Sequence, residues 1–410
     1  MATRHKLTYN KQLKDVVTPK HLRETPIHNW LVFPHSYSYV LIDIFKENWQ
    51  LGANDIILDP FCGAGTTLLA AKQLGIPAVG YDISPYAVFV SNVKTAKYDI
   101  YKLRKCWEAI KSKISKIRDS YKIKNYPDLV QKALSPQVIN KFEKIEKIIA
   151  LYSDSPESRD FFRLGLFAVM PFFSSAQATG GWLKWVTPRM MNSELLFCYK
   201  NRIEMMLEQV GKSSDSIVDN SAYIGDVRYL PDLAESFSAI ITSPPYPNRH
   251  DYTRVFGVEL MYGFLDWEGT RGVRYQSLHS HPESKPIRPD FSKYIQPGQL
   301  TSALKKFRQS STSGRITAML EGYFVDMYCS LLEMYRVCKI NGHAALVLGN
   351  AQYNGVQFLV DEIVADIGEQ VGFTCEEILT ARLRGNSAQQ MKVFGKHPSR
   401  ESIIILKKNI

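Results

Sequence analysis

Long apolar runs are missing from this 410-residue chain. No segment reaches the roughly 18 consecutive apolar residues that cross a bilayer. The amino-terminal stretch MATRHKLTYNKQLKD also lacks the apolar core of about 7–15 residues that marks a secretory signal,. Both absences predict a cytoplasmic protein with no membrane partner. Cysteine is sparse and scattered over Cys62, Cys106, Cys198, Cys329, Cys338 and Cys375, with no CxxC pair. That spacing argues against a disulfide framework and against a zinc site, so no metal is expected. There is no internal repeat and no low-complexity tract, which excludes collagen-like, coiled-coil and wholly disordered chains.

The composition that remains is that of an ordinary globular protein, 45% hydrophobic and 22% charged. Its length suffices for one large core, or for a catalytic domain with an inserted module. The net charge of +11 and the isoelectric point near 9.1 favour a polyanionic partner, because neutralising phosphates releases counterions,.

Short, continuous apolar runs recur at Ile56–Asp59, Ala78–Asp82, Ala222–Ile224, Ser238–Thr242, His343–Gly349 and Ser402–Leu406. Runs without alternation suit strands buried on both faces of a parallel sheet. Helical stretches such as Thr66–Leu74 and Tyr323–Tyr335 lie between them, and this alternation predicts a doubly wound α/β fold,. Two stretches break the rhythm. Residues 96–219 read as a helical insertion, and its part Tyr101–Glu146 carries 12 Lys/Arg against 5 Asp/Glu. This insertion runs on to an aromatic and basic piece, GGWLKWVTPR (Gly180–Arg189), whose Trp182 and Trp185 are expected in the core, with contact to a nucleic acid as the alternative. Residues 269–314 are polar and rich in Ser, Pro, His and Arg, and read as a loop. The catalytic domain is thus expected in two parts, 1–95 and 220–410.

The clearest motif is LDPFCGAGTT, Leu58–Thr67, between a strand and a helix. Gly63 and Gly65 allow a sharp turn and a close approach of the backbone to a ligand. Asp59, at the strand end, can meet an amino group such as that of a methionine moiety. Seventeen residues past Gly65, Asp82 closes a second strand in VGYDIS, where a doubly wound fold holds ribose hydroxyls,. Asp226 in YIGDVRYLP closes a third, placed to accept from an adenine amino group. The fourth strand ends in ITSPPYPN, Ile241–Asn248. Its two prolines stiffen a turn in which Ser243 and the Pro244 carbonyl can accept from one amine while Tyr246 presents a flat face. Cys62 reads as a small filler within the glycine loop.

Together, LDPFCGAGTT, VGYDIS, GDVRYLP and TSPPY resemble the successive motifs of the DNA amino-methyltransferases, which act on cytosine N(4) or adenine N(6). The resemblance runs from about Trp30 to the carboxyl terminus apart from the two insertions. HNWLVFPHSYSYVLI (His28–Ile42) is similar to the family's segment that wraps the methionine end of the cofactor. LLEMYRVCKINGHAALVLGN (Leu331–Asn350) is similar to the helix and strand after the catalytic turn, and ESIIILKK to the last strand. The resemblance implies a Rossmann-like class I sheet of seven strands, the last antiparallel, and S-adenosyl-L-methionine as cofactor. It implies cofactor contacts at Pro34, Ser36, Asp59, Pro60, Phe61, Gly63, Gly65, Thr66, Asp82, Ile83, Asp226 and Val227. It implies catalytic roles for Ser243, Pro244, Pro245 and Tyr246.

The implied substrate is double-stranded DNA, whose target base leaves the stack to be methylated. A restriction endonuclease is an implied functional companion. A leading Ser in SPPY leans toward cytosine N(4), and adenine N(6) is the alternative. The amine's lone pair is delocalised into the ring. Binding its hydrogens at Ser243 and Pro244 would let the nitrogen pyramidalise toward the methyl donor. Tyr252 is a candidate second contact to the base, and Arg249, His250 and Arg254 are candidate phosphate contacts. An RNA guanine-N(2) methyltransferase usually carries an RNA-binding domain ahead of the glycine loop, and only 58 residues precede Asp59. The large insertion falls before GDVRYLP rather than after SPPY, so which insertion reads DNA stays open.

Overall fold

The computed structural model describes residues 4–117, 124–179, 182–213, 218–310, 313–384 and 398–410. Twelve strands are described: β1 (Leu7–Tyr9), β2 (Ile57–Asp59), β3 (Ala78–Asp82), β4 (Ala176–Thr179), β5 (Trp182–Trp185), β6 (Ser221–Ile224), β7 (Phe237–Thr242), β8 (Cys338–Gly349), β9 (Ala351–Tyr353), β10 (Val356–Phe358), β11 (Thr374–Arg384) and β12 (Ser399–Lys407). Eight of them form one sheet in the order β1-β11-β12-β8-β7-β2-β3-β6. From β6 to β8 all pairs are parallel. Strand β12 runs antiparallel to both β8 and β11. The seven strands from β6 to β11 are the expected class I sheet with its antiparallel member, and β1 adds an eighth by pairing parallel to β11.

The continuous apolar runs arise because the sheet is covered twice. Ile57, Ala239, Ile241, Ala345 and Val347 face one cluster, with Leu41, Phe45 and Leu68 of the helices Val40–Trp49 and Thr66–Gln73. Leu58, Ile240, Ala344 and Leu346 face the other, with Phe324 and Met327 of the helix Gly314–Val337 and Ile363 of Val360–Gln370. Successive residues along a strand point to opposite faces, so a doubly covered strand needs apolar residues at every position.

The stretch 96–219 contains the helices Ile100–Ile114, Asp128–Ala133, Pro136–Tyr152, Pro156–Phe173 and Leu195–Lys212. Asp99, Ser135 and Ser155 cap three of them through side-chain acceptors,. Their apolar faces share one core with Trp30, Phe33 and Tyr86. This stretch is not all helix, since β4 and β5 form an antiparallel hairpin within it. Gly180 and Gly181, at the start of the aromatic piece, lie outside the described residues, as do residues 118–123 of the basic stretch.

Two expectations are corrected here. Residues 269–314 are not simply loop. The helices Trp267–Gln276 and Gly298–Ser310 occupy both ends, and Leu300, Leu304 and Phe307 of the second are buried. The Ser, Pro and His residues that suggested a loop concentrate between them. Trp185 is not core, because 53% of its surface is exposed. Among the described residues no helix is long and apolar enough to cross a membrane.

Candidate active site

The carboxyl ends of β2, β3, β6 and β7 converge on one pocket, which is where ligands bind in open α/β sheets,. After β2, the chain turns through Gly63 and Gly65, at φ +50° and +75°, into the helix Thr66–Gln73. Gly65 lies hard against the helix Pro85–Thr95, where an added Cβ would stand 2.3 Å from Ser91 Oγ. The loop's close packing thus requires glycine there.

Of the predicted cofactor contacts, Ser36, Asp59, Pro60, Phe61, Gly63 and Thr66 line the pocket. Asp82, Ile83, Asp226 and Val227 line it too. Ser243 and Pro245 of the proline turn border the same space, as does Tyr252. Pro34, Gly65, Pro244, Tyr246, Arg249, His250 and Arg254 are not among its lining residues.

The three strand-end carboxylates are engaged differently. Asp59 is buried and accepts from Thr67 Oγ1 at 2.6 Å, Thr242 Oγ1 at 2.7 Å, Tyr37 OH at 3.2 Å and the Phe61 amide at 3.2 Å. Burial still pushes its pKa up, against those donors,. Among the described residues Asp82 accepts from two amides, Gly63 at 3.0 Å and Ser84 at 2.8 Å. Burial raises its pKa to about 6. Asp226 is clasped by Arg228, through Nε at 2.9 Å and Nη2 at 2.6 Å.

Arg228 is itself buried and reaches Asp326 at 3.2 Å and the Gln276 carbonyl at 2.6 Å. Asp326 also accepts from Arg288 Nε at 2.7 Å and from the His279 amide at 2.8 Å. Burial opposes its ionisation, yet His279, Arg288 and Arg228 outweigh that and hold its pKa below the usual carboxylate value,. This lattice ties the segment after the helix Trp267–Gln276 to the cofactor end, and Gln276, Ser277, Leu278, Ser280 and His281 form a wall of the pocket.

At the proline turn, Ser243 Oγ donates to the Val347 carbonyl of β8 at 3.2 Å. Its proton is thereby directed away, which leaves the oxygen lone pairs as acceptors. Tyr246 OH donates to Glu401 of β12 at 3.2 Å, and the Arg384 guanidinium sits 5.6 Å from its ring centroid. Tyr252 meets the His35 ring edge-on at 5.6 Å, and His35 lies 4.9 Å from His250. Burial, then His35 and Arg384, lower the His250 pKa to about 4, so its imidazole is neutral at physiological pH. Arg249 is exposed, with φ +68°. Arg254 is paired with Asp251 at 3.2 Å and Glu283 at 3.3 Å. Cys62 is buried with its thiol pKa pushed well up by burial, which makes it unreactive packing,.

Sequence reasoning missed Phe33, His35 and Tyr37 as pocket residues, although the segment that carries them was singled out. It also missed Arg228, which stands inside GDVRYLP, two residues past the predicted Asp226. The wall at Gln276–His281 had no signal, since its neighbours in space are far away in sequence.

A family model described as "DNA methylase", covering N6 and N4 methyltransferases, matches residues 11–92. The type II methyltransferase M.BsoBI of Geobacillus stearothermophilus is 26% identical over 463 residues, covering 98% of this chain and 89% of that relative. The type II methyltransferase M.AvaI of Nostoc sp. (strain PCC 7120) is 24% identical, covering 99% of this chain and 91% of its own length. The type II methyltransferase M.MvaI of Kocuria varians is 22% identical, with 83% and 80% covered.

Proposed function

Because the chain belongs to the N6/N4 DNA methylase family, we propose that it is a type II DNA methyltransferase that methylates N(4) of cytosine in duplex DNA, as the modification partner of a restriction endonuclease. The observation that carries this reading is a single pocket whose walls include both the glycine loop and the Ser243–Pro245 turn. A cofactor held at one end and an amine held at the other would then meet inside the protein.

The pocket fits S-adenosyl-L-methionine. Asp82 is a half-buried carboxylate that lines the pocket with two amide donors and a raised pKa, and so has lone pairs left for the hydroxyls of a ribose. Phe61, Ile83 and Val227 offer apolar surface beside it for an adenine. When bound, the cofactor supplies an electrophilic sulfonium methyl group. The Arg228 lattice orients the Asp226 carboxylate at that end.

The residues at the other end bind and position. Ser243 Oγ, with its proton given to Val347, accepts one amino hydrogen, and the Pro244 carbonyl accepts the other. Hydrogen-bonding both hydrogens turns the nitrogen lone pair out of the ring plane and toward the methyl donor, and the amine releases one of its two protons as the new N–C bond replaces the S–C bond. No nucleophilic side chain is needed. The base reaches the pocket by leaving the duplex stack, and Tyr246 and Tyr252 hold its ring. Ser243, where adenine enzymes of this family tend to carry Asp or Asn, favours cytosine.

Mass spectrometry of nucleosides from DNA of cells expressing the chain tests the reading. N(4)-methylcytosine is the expected product. N(6)-methyladenine would overturn the base assignment while keeping the residue roles. Absence of both marks from DNA, with a methylated guanine in RNA, would overturn the substrate.

A further inference from the structure

We propose that the β4–β5 hairpin is a DNA-contacting element at the active-site mouth, with Trp185 as its stacking or wedging side chain. The inference rests on the reading of the chain as a DNA methyltransferase and names the surface that meets the duplex.

The position comes first. β5 lies against the short helix Tyr252–Val255. That helix follows the proline turn, and its Tyr252 and Thr253 line the pocket. The hairpin therefore flanks the place where a base would leave the stack. Its root is rigid. The Ser175 amide donates to Ala133 O at 2.7 Å, the Val186 amide to Ser175 O at 2.8 Å, and the Arg189 amide to Phe172 O at 2.9 Å. Ala176 is buried, and Leu183 packs on the helical core.

The exposed chemistry comes second. Trp185 leaves 53% of a large aromatic surface in water, beside exposed Lys184 and Arg189. Between Asp160 and Glu194 the chain has no acidic residue at all. An indole with flanking cations and no carboxylate suits a polymer of flat bases and phosphates. A duplex that has lost one base from its stack also offers a gap, which an apolar side chain can enter. A protein partner would gain nothing from the missing acids.

The test compares wild type with Trp185→Ala, Trp185→Phe and Lys184→Glu. Two readouts are taken: the KM for unmethylated phage DNA in methyl transfer from labelled S-adenosylmethionine, and anisotropy of a fluorescein-labelled duplex. Trp185→Ala should raise both the KM and the duplex Kd about tenfold, in line with the cost of one lost stacking partner. Trp185→Phe should recover most of that loss, and Lys184→Glu should weaken binding relative to wild type by a factor that grows as salt is lowered. Cofactor affinity by calorimetry should not move, which shows the variants are folded. Unchanged KM and duplex Kd in Trp185→Ala would overturn the hairpin's role. So would a changed oligomeric state by sedimentation with DNA affinity intact, since the surface would then be a protein interface. If wild type transfers no methyl group to DNA but Trp185→Ala still loses duplex affinity, the hairpin stands and the methylation reading falls.

Discussion

A methyl group added at Gly65 would occupy space that the helix Pro85–Thr95 already fills. The new Cβ would stand 2.3 Å from Ser91 Oγ and 2.9 Å from Ser91 Cα, and the residue sits at φ +75°. At Gly63 the φ is +50°, but the nearest atom to an added Cβ is Phe33 Cδ2 at 3.7 Å, an ordinary van der Waals separation. Both substitutions carry the left-handed strain of an L residue, about 1 kcal/mol. Both gain a similar amount from the stiffer unfolded chain, about 0.4–1 kcal/mol. Only Gly65→Ala adds the overpacking term, about 1–3 kcal/mol. The two variants should therefore differ by about that amount, with Gly63→Ala showing the smaller loss, set by backbone strain alone,. Parallel denaturant titrations of both measure the difference. A Gly65→Ala/Ser91→Gly double variant should recover part of the loss. It removes the hydroxymethyl group of Ser91 that the new methyl would strike, while the backbone of the helix stays where it is and still crowds the site. The Ser91 hydroxyl meets the Cys62 thiol, a weak hydrogen-bond partner, so little bonding is lost with it,. Equal destabilisation at the two glycines, or no coupling to Ser91, would refute the packing argument.

Two further outcomes are expected. Asp82 can accept from both ribose hydroxyls most strongly when ionised, and burial pushes its pKa up to about 6, so acid protonates it and turns one acceptor oxygen into a donor. Cofactor affinity measured by calorimetry should therefore fall about tenfold from pH 7.5 to pH 5, and Asp82→Asn should flatten that profile and weaken binding at pH 7.5 by about 1–3 kcal/mol. A flat wild-type profile contradicts the ribose role. Tyr246→Ala should abolish methyl transfer while sparing cofactor affinity, whereas Tyr246→Phe, which keeps the ring and loses the hydroxyl's contacts with Glu401 and Ser243, should keep much of the turnover; full activity in the alanine variant rules out stacking on the base.

Much of the sheet was legible because doubly covered strands leave unbroken apolar runs, and all six runs read from the chain fall on strands of the sheet. β11 escaped because TCEEILTARLR carries Glu376, Glu377, Arg382 and Arg384, and its register shifts twice against β12. Its neighbour on the other side is only the short β1, so its outer positions stay polar. The cofactor loop and the proline turn were readable because each is local: a few consecutive residues set both the turn and the side chains it presents. The wall at Gln276–His281 was not readable, because it depends on Arg228 and Asp326, which approach from two other segments. Trp185 was misassigned for a related reason. Composition marks tryptophan as a core residue, and only the hairpin's geometry shows it standing outside.

The three strand-end aspartates show how far position alone can carry a role. All three stand at the carboxyl edge and all three line the pocket. An ionised carboxylate has about four lone-pair sites. Four donors already reach Asp59, and three of them come from the hydroxyls of Thr67, Thr242 and Tyr37, on three different elements. Such a group joins the segment before β2, the glycine loop and β7, so its burial is spent on holding the pocket's floor together. Asp226 faces a guanidinium that fixes both its oxygens in one plane, and so any further hydrogen bond it accepts arrives at a preset angle,. Among the described residues Asp82 has two amide donors and no cation, and burial, then the nearby Asp59 charge, raises its pKa. A ligand bringing hydroxyl donors gains most at the carboxylate that is worst solvated without it. The same strand-end motif thus yields an architectural, an oriented and an under-satisfied carboxylate, and the partners that distinguish them come from elsewhere in the chain.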